Sequence, residues 1–120
     1  MKIYRIAQSF PSQLSASQMV DFITDNNLRD WNGGLEYQDA KDIAYWVDTW
    51  RLTELPLSLF NWTADPKYRN KSKNIPPIVL KSDGSYEVLD GKHRIGMAKA
   101  MGLTTIQVYL GDADDSQGIT

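Results

Sequence analysis

Apolar residues in this chain fall in short runs whose spacing changes from segment to segment. Ile3, Tyr4 and Ile6 flank Arg5 in MKIYRI, which predicts a short strand over residues 1–6. Pro11, Ser12 and Ser15 mark a turn, and Met19, Val20, Phe22 and Ile23 then supply one apolar face of a helix. Ser15 or Ser17 caps that helix, which runs to about Asn27. Asn26-Asn27 and Trp31-Asn32-Gly33-Gly34 mark a loop. A second helix is predicted over Gln38 to Trp50. Its stripe is Ala40, Ile43, Ala44, Val47 and Trp50, at intervals i, i+3, i+4, i+7 and i+10. On that reading Trp46 and Trp50 pack the helix onto a sheet.

The pattern changes after Arg51. Leu52 to Asn61 reads as an extended segment in which Pro56 forces an edge or a bulge. Residues 63–74, TADPKYRNKSKN, are polar and turn-rich. PPIVL (76–80) and Tyr86 to Leu89 are two apolar runs separated by Ser82-Asp83-Gly84-Ser85, a hairpin signal. Beyond Asp90-Gly91 the period becomes helical through Ile95 to Met101, and Gly102 is a good stop. TTIQVYL (104–110) predicts a last strand, and an acidic, frayed tail follows from Gly111. The whole is a single α+β domain. Residues 1–50 form a helical front, 51–111 a β-rich core with one inserted helix, and 112–120 a flexible acidic tail.

Charge sharpens the picture at one place. The net charge of −2 gives no global basic field. Residues 51–111, however, carry nine Lys or Arg against five Asp or Glu, an excess that suits an anionic ligand. There is no cysteine, which excludes disulfides, thiolate metal sites and thiol nucleophiles. No stretch approaches the roughly 18 apolar residues of a membrane span, so a cytoplasmic protein without a membrane partner is expected.

The chemistry concentrates at Asp90-Gly91-Lys92-His93-Arg94, where a strand turns into a helix. A helix start offers unpaired N–H groups and partial positive charge, which together attract phosphate. Gly91 permits close backbone approach. Lys92 is a point charge, Arg94 a bidentate donor, and His93 a further donor. Asp90 caps the helix or coordinates a magnesium ion that bridges phosphates. Residue chemistry alone leaves a plain cap and turn open as the other reading.

The segment PPIVL…GSYEVLDGKHRIGMAKAMGLTTIQVYL resembles the ParB/sulfiredoxin-like superfamily, in which a strand, a Gly-x-His-Arg or Gly-x-Arg-Arg turn, an Ala-rich helix, a Gly and a strand follow in this order. The resemblance covers about residues 51–110. It implies a small mixed sheet with an inserted helix, here preceded by two helices. It also implies that Gly91, Lys92, His93 and Arg94 bind the phosphates of ATP or another nucleotide, with Mg2+ at Asp90. As a small phosphotransferase or nucleotide hydrolase, the protein would use Asp90, His93 and Arg94 in catalysis, with Glu54 as the acceptor's base. Sulfiredoxin chemistry is excluded, because Lys92 stands where that family has cysteine. A CTP-gated DNA clamp is not expected, since no helix-turn-helix region follows the last strand. The Asp-Gly-x-His-Arg form is closer to the ATP- or ADP-using kinase branch.

Other features support alternatives. The run KYRNKSK (67–73) offers Arg69, Lys71 and Lys73 as secondary phosphate contacts, or a nucleic-acid patch with Trp62 nearby; solvated surface is the plainer reading. Trp31 is a candidate anchor for a protein partner docking on residues 1–50. A non-catalytic DNA- or protein-binding accessory or inhibitor of a phage or mobile element is one alternative. A ParB-like nuclease is the other.

Overall fold

A computed structural model describes residues 10–26, 28, 37–65 and 75–114. The strand predicted over 1–6, the loop at Trp31 and the basic run 67–73 lie outside the described residues.

Five strands form one mixed sheet: β1 (Gln13–Ser15), β2 (Thr49–Pro56), β3 (Ile78–Ser82), β4 (Ser85–Asp90) and β5 (Thr105–Asp112). Their order across the sheet is β1-β2-β5-β3-β4. β3 and β5 are parallel, and the other neighbours are antiparallel. Among the described residues, three helices complete a small α+β domain: α1 (Ala16–Asp25), α2 (Tyr37–Ala44) and α3 (Lys92–Ala100). α3 is the inserted helix, joining β4 to β5 across β3.

Local chemistry explains most boundaries. Ser15 caps α1 in a capping box. Its hydroxyl accepts from the Gln18 amide at 3.2 Å, and the Gln18 side chain accepts from the Ser15 amide at 2.8 Å. The β3–β4 hairpin turns on Asp83 (φ 53°) and Gly84 (φ 76°), both positive as a two-residue type I′ turn requires. α3 stops in a Schellman motif. Leu103 donates to the Ala98 carbonyl and Gly102 to that of Lys99, with Gly102 at φ 85°.

The sheet separates two apolar layers. On one face Trp50, Ile78, Leu80, Leu89 and Tyr109 pack with Met19 and Ile23 of α1 and Ile43 and Ala44 of α2. On the other, Leu55, Val79, Val88 and Val108 pack with Ile95 and Ala98 of α3 and with Leu57 and Phe60. Strand alternation produces this division: Trp50 and Leu52 face one way and Leu55 the other.

Three expectations need correction. The second helix ends at Ala44, not Trp50. Tyr45 and Trp46 donate to the carbonyls of Asp42 and Ile43, so the last turn tightens and breaks. Trp50 therefore sits in β2, fully buried, its indole N–H donating to the Ala44 carbonyl at 3.0 Å. Trp46 packs on no sheet, being 58% exposed. The extended segment 52–61 is strand only to Pro56, and Leu57–Leu59 form a 3-10 turn. The acidic segment does not fray at Gly111: β5 continues to Asp112, and Ala113 is buried in the first apolar layer. β1 was not foreseen.

Candidate functional site

α3 begins at a glycine that cannot be replaced cheaply. Gly91 is the N-cap, at φ 93°, and a Cβ there would lie 2.6 Å from Pro77 Cβ. Asp90, expected to cap the helix or to coordinate magnesium, is not the cap and ends β4. A glycine N-cap has no side chain to accept from the first-turn amides, and no side-chain cap bond is made. No acidic residue occupies the first turn. Ile95 donates back to the Gly91 carbonyl at 3.0 Å, closing that turn. The first-turn amides of an α-helix precede the first bond of this kind and take no acceptor from the helix ladder itself.

The three side chains behave differently. Lys92 and His93 are exposed. The Lys92 ammonium lies 5.1 Å from the Trp62 ring centroid, a cation–π contact. The Trp62 indole N–H donates to the Lys92 carbonyl at 2.9 Å, and its ring meets Phe60 edge-on at 5.4 Å. Arg94 is half-buried and donates through Nη1 to the Ile75 carbonyl. Its Nε is buried without a hydrogen bond. Burial lowers the Arg94 pKa from its ordinary value, and the Asp90 carboxylate opposes that shift. Arg94 thus has a structural bond of its own and is not wholly given to a ligand.

Glu54 does not join this turn. Alternation along β2 sets it on the face of Trp50 and Leu52, opposite the face that α3 covers. There its carboxylate accepts from the Thr105 hydroxyl at 2.8 Å. Lys71 and Lys73 lie outside the described residues, but both flanks of their run reach α3. On one side Phe60 accepts through its carbonyl from the Lys99 ammonium, Trp62 is hooked to Lys92, and the Thr63–Ala64 backbone passes against Gly96. A Cβ on Gly96 would be 2.8 Å from the Ala64 nitrogen. On the other side are the Ile75 carbonyl held by Arg94 and Pro77 against Gly91. A glycine inside a helix was the readable sign of this close approach. The bonds of Arg94 and Trp62 span 19 and 30 residues and leave no local signal.

Among the described residues no three His, Cys, Asp or Glu side chains gather as a metal site. A magnesium ion would rest on Asp90 and on phosphate oxygens, and Asp90 already faces the Arg94 cation. Also among the described residues, no helix is long and apolar enough to cross a membrane.

The fold defines a small α+β domain: a five-stranded mixed sheet with three helices. No family model matches the chain, and no curated protein or solved structure matches it.

Proposed function

We propose that the protein is a ParB/sulfiredoxin-like module that binds the phosphates of a nucleotide of the ATP or ADP type at the start of α3. One observation carries this reading: a helix start with a glycine N-cap, no acid and no side-chain cap presents the exposed Lys92 and His93. Positive charge in a first turn opposes the helix dipole. An arriving phosphate reverses that penalty and adds charge-assisted contacts at the helix start. The succession of β4, turn, α3 and β5 supports the resemblance. Lys92 would leave the Trp62 face to meet the ligand, and any magnesium would come with the nucleotide.

Binding without turnover is the better-supported form. Glu54, the one proposed base, is across the sheet from this turn. A specific observation also favours a protein partner: Tyr45 and Trp46 are exposed side by side after α2.

Isothermal calorimetry with ATP, ADP, CTP and tripolyphosphate, with and without Mg2+, tests the reading. Losing charge-assisted phosphate contacts in Lys92→Ala/His93→Ala should weaken binding by about tenfold or more. No heat at millimolar nucleotide, or an unchanged Kd in the double variant, overturns it. Steady release of phosphate or ADP would restore the enzyme reading, with a base other than Glu54.

A further inference from the structure

The tip of the β3–β4 hairpin holds a carboxylate that arrives from after β5. The ladder of the hairpin ends at the pair Ser82–Ser85, so the amides of Asp83 and Gly84 have no strand partner. Both are turned to Asp114. Asp83 donates to Oδ1 at 2.6 Å, and Gly84 donates to Oδ2 at 2.9 Å. Successive amides in such a turn make a small concavity suited to an anion. Each carboxylate oxygen therefore takes one charge-assisted bond.

The rest of this corner is built to bring Asp114 there. β5 runs parallel to β3, with Gly111 beside Leu80 and Asp112 beside Lys81. Gly111 lies flat on the indole of Trp50, where a Cβ would come within 2.6 Å of the ring. Ala113 then enters the apolar layer that holds Trp50, and Asp114 follows it onto the hairpin.

We propose that Asp114 is a latch: its carboxylate grips the Asp83–Gly84 turn, keeps Ala113 in the layer around Trp50, and lets residues 113–114 open as a unit while the sheet stays closed. Local opening of this kind needs few buried contacts in the moving part and many in what remains. Among the described residues of the moving part, one methyl group, that of Ala113, is buried. The remaining sheet is paired along all of β5 from Thr105 to Asp112. The Asp114 carboxyl is held below its ordinary pKa chiefly by the Gly84 amide, with the Asp83 amide and Lys81 adding to the effect.

Amide hydrogen exchange by NMR on the full chain tests the latch. In Asp114→Ala, exchange at Asp83 and Gly84 should quicken about tenfold, as expected for loss of a local closing bond. The Ala113 resonances should move toward their unstructured positions, while the Val79 and Val108 amides keep their rates. Asp114→Asn retains one acceptor oxygen and should fall between. Unchanged exchange at Gly84 in Asp114→Ala overturns the latch. So does equal acceleration at Val108, which would make the contact part of global stability. Should Asp114→Ala fail to fold, the Asn variant decides by the same amides.

Discussion

Two turns bound β4, and they are opposites. Both use glycine at positive φ, Gly84 before the strand and Gly91 after it. At the first, the amides are met from within, by the Asp114 carboxylate. At the second there is no side-chain cap and no acid, and Lys92 and His93 stand exposed. One turn has a carboxylate bonded to its amides; the other has Asp90 beside it but no side-chain cap and no acid in the first helical turn. The lesson is that a backbone cradle is not by itself a ligand site. What distinguishes the two is whether a carboxylate is already bonded to the turn's amides.

The sharpest break between them is steric. Gly91→Ala should cost about 3 kcal/mol, combining left-handed strain with overpacking against Pro77. Gly84→Ala should cost only about 1 kcal/mol, because it meets the strain but has nothing within 4 Å. Urea denaturation of the two variants measures the difference, and equal losses would mean that Pro77 yields. Gly96→Ala comes next. Crowding of the Ala64 nitrogen at 2.8 Å is partly offset by better helix propensity, leaving about 1 kcal/mol net loss. A changed Trp62 fluorescence should accompany it, since the same segment carries that ring.

A smaller effect separates the turns by pH. The Asp114 carboxyl is depressed by the Gly84 and Asp83 amides and by Lys81, against an opposing effect of burial; the carboxylates that face or adjoin it are those of Asp83, across the turn, and Asp112, two residues before it. Its folded pKa lies below the unfolded one, so the latch contributes above the ordinary carboxylate range. That contribution is lost as pH falls through the depressed value. The Gly84 amide shift should follow this titration, and the Gly91 amide should not. A flat Gly84 profile through that acid range would mean that the carboxylate does not grip the turn.

Much of the fold was legible because its signals are local. The Ser15 cap, the Asp83-Gly84 hairpin, the stop at Gly102 and the last strand are each written within a few residues, and each stands in the structure. The end of α2 was not. Ile43, Ala44, Val47 and Trp50 are spaced as a helix face and are all buried in one layer. Periodicity identified which residues are inside but not the path between them, and the chain turns at Tyr45–Asp48 before entering β2. The candidate site was legible only as a string of residue types around Gly91. Its commitments were not, because Arg94 to Ile75 and Trp62 to Lys92 join residues distant in sequence, as does Asp114 to the hairpin at the other end of β4. Glu54 was misplaced for a related reason: its side of the sheet depends on strand register, which one sequence does not display.

The fastening of residues 60–64 and Ile75 to a single helix has a practical consequence. Trp62 is tied to the Lys92 carbonyl and Ile75 to the Arg94 side chain, so α3 works as a splint for both segments. Any displacement of the start of that helix would be passed to the two segments together.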